Sequence, residues 1–173
     1  RYIDNPIYAR LKNLYQLGTL YHVFPGATHT RFAHSLGVGH LANKQMIHLL
    51  NNNKNNVPIF GGCSQAMQYE QATYHMDPEM KSDVWNVTMA GLMHDLGHGP
   101  FSHLFDRGVI PTLLSLKGRT REDIGHWEHE KASAMLFDHM IDKCGLDIEK
   151  DGLDKDTICS LIDGKPLPKH KDK

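Results

Sequence analysis

The chain has few cysteines, no long apolar run and no excess of charge of either sign. Its three cysteines, Cys63, Cys144 and Cys159, are an odd number without CxxC spacing, which argues against a disulfide framework and a structural zinc cluster. A reducing, intracellular compartment is therefore expected. No apolar stretch is long enough to cross a bilayer, so no membrane association is expected. The 19 lysines and arginines balance 20 acids, which leaves no global electrostatic argument for a nucleic-acid partner.

The length of 173 residues is enough to bury one core, and it predicts one domain or a large part of one. Because the sequence starts with Arg1 rather than Met, we expect a piece of a longer chain. Residues 51–81 begin with an Asn-rich run and are polar, so we interpret them as a surface insertion. Residues 165–173 carry two prolines and four lysines, which predicts a flexible basic tail.

Hydrophobic periodicity predicts an all-α fold. Helices are expected from Pro6 to about Leu17 with Asn5 as N-cap, from Arg31 to Leu50, from an N-cap at Ser82 to His94 and Asp95, from Trp127 to Lys143 and from Leu153 to Ile162. Residues 19–24 are aromatic and β-branched, which predicts at most a short β segment. Two further expectations are that Gly37 and Gly39 permit close helix packing, and that one face of the fourth helix is apolar, comprising Ala132, Met135, Leu136, His139 and Met140.

The stretch from His94 to Pro100 carries the strongest chemical signal. His94 and Asp95 are adjacent, and the glycines and proline that follow them favour the end of a helix. Neighbours on a helix point about 100° apart, so both can reach one ion only if other segments supply the remaining ligands. Imidazole with carboxylate suits Fe, Zn, Mn or Mg. His98 lies just past the pair, where a supporting or substrate-facing role fits it better than ligation.

The chain has 13 histidines, and several lie at the ends of predicted helices or beside glycines: His34, His94, His98, His103, His126 and His129. Taken singly, each is more often a hydrogen-bonded or surface histidine, but helix ends that face one cleft can form a polar site. Asp106 either orients the imidazole of His103 or is an ordinary loop aspartate. Arg31 shares a helical face with His34, where it either holds a phosphate or is solvated.

The segments Arg31–Gly39 and His94–His103 resemble the HD-domain phosphohydrolases, specifically the SAM-and-HD-domain deoxynucleoside triphosphate triphosphohydrolases. The likeness extends from Ile3 to Glu130 and covers most of residues 1–145 outside the insertion. It implies an all-helical HD-domain bundle, comprising residues 1–50 and 82–164, that converts a dNTP to a deoxynucleoside and inorganic triphosphate. The resemblance also implies a location in the nucleus or cytoplasm.

The resemblance assigns roles to individual residues. It implies that His34, His94 and Asp95 are three of four protein ligands to a divalent metal, the fourth being an aspartate beyond Lys173, so that this piece is incomplete and inactive alone. It implies sugar contacts for Gln16 and Leu17 and α-phosphate contacts for Arg31 and His98. The implied catalytic set is His98, with His103 and His129 handling protons while Asp106 and Glu130 orient them.

Regulation is implied as well. Relatives that form a nucleotide-activated tetramer bind an activating guanine nucleotide through the positions of Asp4, Ala9 and Lys12, where they have an aspartate, a glutamine and an arginine. Here Ala9 cannot hydrogen-bond and Lys12 lacks the planar fork of arginine. Val23 and Phe24 are retained, so the resemblance implies that an activating nucleotide still binds, with a weaker effect or a different selectivity. The resemblance also implies a homo-oligomer, dimer or tetramer.

Two other functions stay open. One is an HD phosphohydrolase that acts on a nucleoside monophosphate or a signalling nucleotide, although Gln16, Leu17 and the match after His94 argue against it. The other is a catalytically silent nucleotide-binding or nucleic-acid-binding module. Lysines near the insertion and in the tail would allow weak single-stranded nucleic-acid binding, but a solvated surface explains them more simply.

Overall fold

The computed structural model describes residues 1–55, 78–120, 122–124 and 127–165, with only the backbone of residues 51–55. Six α-helices occur in these residues: α1 (Pro6–Ala9), α2 (Arg31–Asn55), α3 (Pro78–Met93), α4 (Ile110–Leu116), α5 (His129–Cys144) and α6 (Lys155–Asp163). The described ranges contain no β-strand, only an isolated bridge between Tyr15 and Thr30. The predicted all-α fold is therefore confirmed.

The N-terminal helix is shorter than the sequence suggested. Asn5 is its N-cap, with Oδ1 accepting from the Ile7 N–H at 2.9 Å, but α1 ends at Ala9 and a 3₁₀ turn, Arg10–Asn13, follows. The predicted continuation to Leu17 is wrong because Leu14 is extended and its carbonyl accepts from the N–H of Arg31 at 2.8 Å. This pairing brings residues 14–16 against the start of α2.

Residues 19–24, for which at most a short β segment was predicted, form no strand. Residues Leu20–His22 form a 3₁₀ turn instead, with the Val23 N–H donating to the Leu20 carbonyl at 3.0 Å. A short β-branched, aromatic run forms a strand only when a neighbouring strand accepts its main-chain hydrogen bonds. Within the described part of the chain none does, and local bonds satisfy the backbone instead.

Helices α2 and α3 pack closely where two glycines meet. A Cβ built on Gly39 would lie 2.6 Å from Leu92 Cγ, and one on Gly91 would lie 3.2 Å from Gly39 Cα. The predicted role of Gly39 is therefore confirmed. The same prediction for Gly37 is wrong, since nothing lies within 4 Å of its Cβ position.

The core lies where α1, α3, α5 and α6 meet, and it is made of apolar side chains: Tyr8, Leu11, Met89, Ala90, Met93, Leu96, Phe137, Met140, Leu146, Leu153, Ile158 and Ile162. The predicted apolar face of α5 is partly wrong, because Met135 and His139 are exposed while Ser133 and Phe137 are buried. The helix ends as predicted, with Gly145 in the left-handed conformation at φ 60°.

Two other helices are longer than predicted. α3 begins at Pro78, and Ser82 is not its N-cap, since the Ser82 hydroxyl donates to the Gly152 carbonyl at 2.8 Å. α2 continues to Asn55, so both ends of the predicted insertion 51–81 are helical, and the rest of it lies outside the described residues. His126 and residues 166–173 of the predicted tail lie outside them too. No described helix is long and apolar enough to cross a membrane.

Candidate metal and proton-transfer site

The three predicted metal ligands converge from two segments. His34 lies in the first turn of α2, and the His94–Asp95 pair lies in the turn that directly follows α3, one residue beyond the helix end. His34 Nε2 is 3.5 Å from Asp95 Oδ2, and His94 Nε2 is 3.2 Å from Asp95 Oδ1. One ligand atom from each of the three residues lies within 4.8 Å of the others, so they could share one ion.

The protonation pattern of this cluster fits a divalent cation. His94 Nδ1 lies 2.7 Å from the Gly91 carbonyl oxygen, which can only accept, so Nδ1 carries the proton and Nε2 keeps its lone pair toward Asp95. Burial lowers the pKa of His34, an effect that Asp95 opposes, and its ring is neutral at pH 7. Imidazole nitrogens and a carboxylate are donors that Zn, Fe, Mn and related ions accept.

Asp95 is held in place by buried partners. Arg31 Nη1 donates to its Oδ2 at 2.6 Å and Gln16 Nε2 lies 3.4 Å from the same oxygen. Burial alone would raise the pKa of Asp95, but His94, Arg31 and His98 together lower it, so the carboxylate is charged. Arg31 is only 2% exposed and its Nε has no hydrogen-bond partner among the described residues. The geometry therefore places the guanidinium of Arg31 against the carboxylate of Asp95.

Two residues that the sequence analysis missed shape the His94–Pro100 turn. Arg10 donates through Nη1 to the His98 carbonyl at 3.0 Å and through Nη2 to the Leu96 carbonyl. Ser133, on α5, accepts from the Gly97 N–H at 2.7 Å and donates to the His94 carbonyl at 2.6 Å. Their partners are main-chain groups distant in sequence, so no pattern of side chains could have indicated them.

A second cluster surrounds Asp106, in the π-helical turn Phe105–Val109. Its Oδ2 lies 3.8, 3.9 and 3.5 Å from the Nδ1 atoms of His98, His103 and His129. His129 Nδ1 is also 3.2 Å from Glu130 Oε2. All five residues predicted as catalytic are thus brought together. One ligand atom from each of the three histidines also lies within 4.8 Å of the others, but the rings of His98 and His129 stack at 3.8 Å and 17°, so their lone pairs point in parallel rather than at one ion.

The turn that carries His103 has an unusual backbone. Phe101 and Ser102 both have positive φ, 65° and 57°, a region that residues other than glycine seldom adopt. The Ser102 hydroxyl donates to the Gln16 carbonyl at 2.8 Å. This bond joins the turn before His103 to the loop that carries Gln16. It therefore connects the Asp106 cluster, to which His103 belongs, with the Asp95 cluster, which Gln16 contacts.

His98 sits between the two clusters and is kept neutral. Its side chain is 2% exposed, and its Nε2 lies 3.6 Å from Asp95 Oδ1. Burial, together with the charges of Arg31 and His129, lowers the pKa of His98 to about 3. Burial also lowers the pKa of His129, although Glu130 and Asp106 oppose this shift. Because both pKa values lie below the ordinary value of histidine, both imidazoles are neutral at pH 7.

This pKa shift predicts acid sensitivity in the chelator-treated chain. An unfolded histidine has a pKa near 6.5, so between pH 6.5 and pH 3 the unfolded state binds more protons and the free energy of unfolding falls as pH falls. From pH 7 to pH 5 the loss through His98 is about 2 kcal/mol. Urea unfolding at both pH values measures it, and His98→Gln should shrink the difference by that amount. An unchanged difference in the variant would contradict the assignment.

Other predicted residues lie nearer the surface. Leu17, expected at the sugar, is exposed, as are Asp4, Val23 and Phe24 of the predicted activator site. The ammonium group of Lys12 lies 4.8 Å over the ring of Phe32. A cavity of about 450 Å³ opens beside the second cluster, and its lining includes His103, Asp106, Trp127 and His129.

The described residues form an all-helical domain. In it, a histidine of one helix faces a His-Asp pair that follows another helix, and this arrangement could hold a metal ion. Residues 31–171 match the HD domain, and the chain belongs to that family. The resemblance found from the motifs is confirmed.

The chain is similar to enzymes from distant organisms. It is 41% identical to the deoxynucleoside triphosphate triphosphohydrolase SAMHD1 of Danio rerio over 149 residues, which are 84% of this chain and 19% of that protein. The corresponding Homo sapiens protein is 40% identical over 167 residues, 93% of this chain and 22% of that protein. The Dictyostelium discoideum homologue is 37% identical over 170 residues, which are 98% of this chain and 27% of that protein. The chain therefore spans about a fifth to a quarter of the length of these relatives.

Proposed function

We propose that the full-length protein is a metal-dependent dNTP triphosphohydrolase that releases a deoxynucleoside and inorganic triphosphate. The observation that carries this proposal is the contact between the two clusters, with His98 Nε2 3.6 Å from Asp95 Oδ1 and its ring stacked on His129. Cleavage of a phosphate ester needs a polarised phosphate and a proton for the leaving oxygen at neighbouring points, and this arrangement offers both. The names of the relatives above support the substrate class.

The metal cluster would act on the phosphate. A divalent ion held by His34, His94 and Asp95 would polarise a phosphate oxygen and lower the pKa of water for attack at neutral pH. Arg31 holds the carboxylate of Asp95 in its charged, oriented form, as the 2.6 Å bond supports. We assign the α-phosphate to Arg31 and His98, and the sugar to Gln16 and Leu17, where close contact would exclude a 2′-hydroxyl.

The Asp106 cluster would manage protons. Asp106 Oδ2 faces the Nδ1 atoms of His103 and His129, which leaves their Nε2 atoms for proton exchange at the scissile bond. His103 is exposed to the cavity and is the natural donor to the leaving sugar oxygen. Glu130, at 3.2 Å from His129 Nδ1, gives that imidazole a second orienting partner.

Several finer points belong to the same proposal. A fourth metal ligand would come from outside the described residues. The metal is Fe, Zn, Mn or Mg, the protein forms a dimer or tetramer, and an activating nucleotide binds at Asp4, Lys12, Val23 and Phe24. Weak single-stranded nucleic-acid binding and a location in the nucleus or cytoplasm complete the set.

The proposal is tested by the phosphate product. Full-length protein is incubated with each dNTP and with Fe, Zn, Mn or Mg, and the products are separated by anion exchange and identified by phosphorus NMR. Inorganic triphosphate and the matching deoxynucleoside are expected in equal amounts. Release of pyrophosphate or of single phosphates would overturn the reaction assignment.

We expect the full-length protein to respond weakly to guanosine triphosphate. Ala9 has no hydrogen-bonding side chain, and Lys12 presents a single ammonium group in place of a planar fork. The double variant Ala9→Gln and Lys12→Arg should therefore lower the nucleotide concentration for half-maximal activation by about tenfold, because it adds one bidentate contact. Rates are measured against guanosine triphosphate concentration. Equal responses of the variant and the unmodified protein would contradict the expectation.

A further inference from the structure

Trp127 makes a hydrogen bond to the Asp106 cluster that the proposed mechanism does not use. Its indole Nε1 donates to Asp106 Oδ1 at 3.2 Å. The residue lies two positions before His129, at the entrance to α5, and forms part of the cavity wall. Its side chain stays 40% exposed, so hydrophobic burial accounts poorly for a tryptophan here.

The two oxygens of Asp106 face different partners. Oδ1 accepts from the indole, whereas Oδ2 lies 3.5–3.9 Å from the Nδ1 atoms of His98, His103 and His129. The terminal torsion of an aspartate is broad, so rotation about it is limited by the partners of its two oxygens. A donor on Oδ1 fixes that rotation, because the two oxygens move as one rigid group.

We propose that Trp127 is a positioning residue, whose indole N–H orients Asp106 and through it the imidazoles of His103 and His129. The inference rests on the proposed function, since orientation matters only if these histidines handle protons. Outer partners that orient a metal-ligating imidazole typically contribute 10–100-fold to metal affinity or activity, and we expect an effect near the lower end of that range for the indole. The indole thus acts on turnover and leaves substrate contacts unaltered.

The kinetic test removes one N–H while keeping an aromatic ring. Trp127→Phe in the full-length protein should lower kcat about tenfold and change KM less than about twofold. Trp85→Phe is the matched control, because Trp85 is the other tryptophan of the sequence and is 55% exposed on α3. It should leave kcat unchanged. A Trp127→Phe protein with kcat within twofold of the unmodified enzyme would overturn the proposal.

A double-mutant cycle separates positioning from a merely structural effect. If the indole acts through Asp106, Trp127→Phe should have no further effect on kcat in an Asp106→Asn background. A structural role elsewhere would give multiplicative losses instead. Thermal unfolding followed by circular dichroism checks that each variant is folded.

A spectroscopic readout makes the outcome independent of turnover. In the ¹⁵N-labelled full-length protein, Trp127→Phe and Trp85→Phe assign the indole N–H signals of these two residues. Asp106→Asn should move the Trp127 signal and leave that of Trp85 in place, and Trp127→Phe should move the ring ¹⁵N signals of His129. If the protein releases no triphosphate, the proposed function fails, and these signals still decide the positioning role. A Trp127 signal unmoved by Asp106→Asn, or His129 signals unmoved by Trp127→Phe, would overturn it.

Discussion

Replacing Asp95 by asparagine is expected to reduce dNTP turnover of the full-length protein at least about a thousandfold, roughly 4 kcal/mol of transition-state stabilisation. The substitution removes a carboxylate that lies within reach of both His34 and His94. It also removes the negative charge that orients Arg31, whose guanidinium is 2.6 Å away. Turnover is measured as triphosphate released, and bound metal by elemental analysis of the purified protein.

Loss of folding must be separated from loss of chemistry in that experiment. Asp95→Asn leaves the buried guanidinium of Arg31 without a charged partner, which destabilises a fold by about 3–5 kcal/mol. His94→Gln is the matched variant, because His94 is only half-buried and its loss orphans no charge. It should abolish metal binding and turnover with little change in the free energy of unfolding.

The same pair of variants separates an enzyme from a silent binding module. A module that binds nucleotides or single-stranded nucleic acid through its basic surface would bind equally well without the Asp95 carboxylate. Retention of turnover within tenfold in either variant would contradict a catalytic metal at this cluster. Absence of metal from the unmodified full-length protein would favour the silent module.

Gly97→Ala is expected to destabilise the fold by roughly 3 kcal/mol or more. A Cβ at this position would lie 2.3 Å from the His129 carbonyl oxygen and 2.4 Å from the Ser133 main-chain nitrogen. Both neighbours belong to the backbone of α5, so no side-chain rotation can relieve the contact. The helix would have to move away from the turn, and His129 would move with it. Urea unfolding measures the loss of stability.

Gly37→Ala is the control for that prediction. Gly37 lies in α2 with nothing within 4 Å of its Cβ position, so alanine should stabilise the helix by about 0.5–1 kcal/mol. The two substitutions add the same methyl group and should shift the free energy of unfolding in opposite directions. Equal effects at the two positions would show that the close approach of α5 to the His94–Pro100 turn is not maintained in solution.

The candidate residues of the two clusters, which the structure brings together, could be named from the sequence because their chemistry is visible in side chains. His94 and Asp95 are adjacent in a glycine-rich exit, and the motif around Arg31 gave a family resemblance. Arg10 and Ser133 could not be predicted, because each acts on main-chain groups of a turn 36–88 residues away. Such contacts depend on tertiary packing, which no local pattern specifies.

The fold shows the same division between local and distant causes. α5 and α6 end at Gly145 and Gly164, which adopt positive φ. A glycine after a helical pattern is a local signal, so these ends can be predicted from the sequence. The end of α1 was predicted wrongly because a distant partner decides it, as the bond from the Arg31 N–H to the Leu14 carbonyl shows. Residues 19–24 form no strand because no neighbouring strand pairs with them within the described residues. Met135 is exposed although its spacing is that of a core residue, because neighbouring helices cover a different stripe of α5.

The hydroxyl of Ser133 has a consequence for how such sequences can diverge. It contacts the His94 carbonyl and the Gly97 N–H at once, and it stands four residues after His129 on the same helix. Adding or deleting one residue between them would rotate the hydroxyl about 100° out of reach of the turn. Alignments of related chains should therefore show no length change in this interval, and wherever the serine is replaced, a compensating donor and acceptor should accompany it.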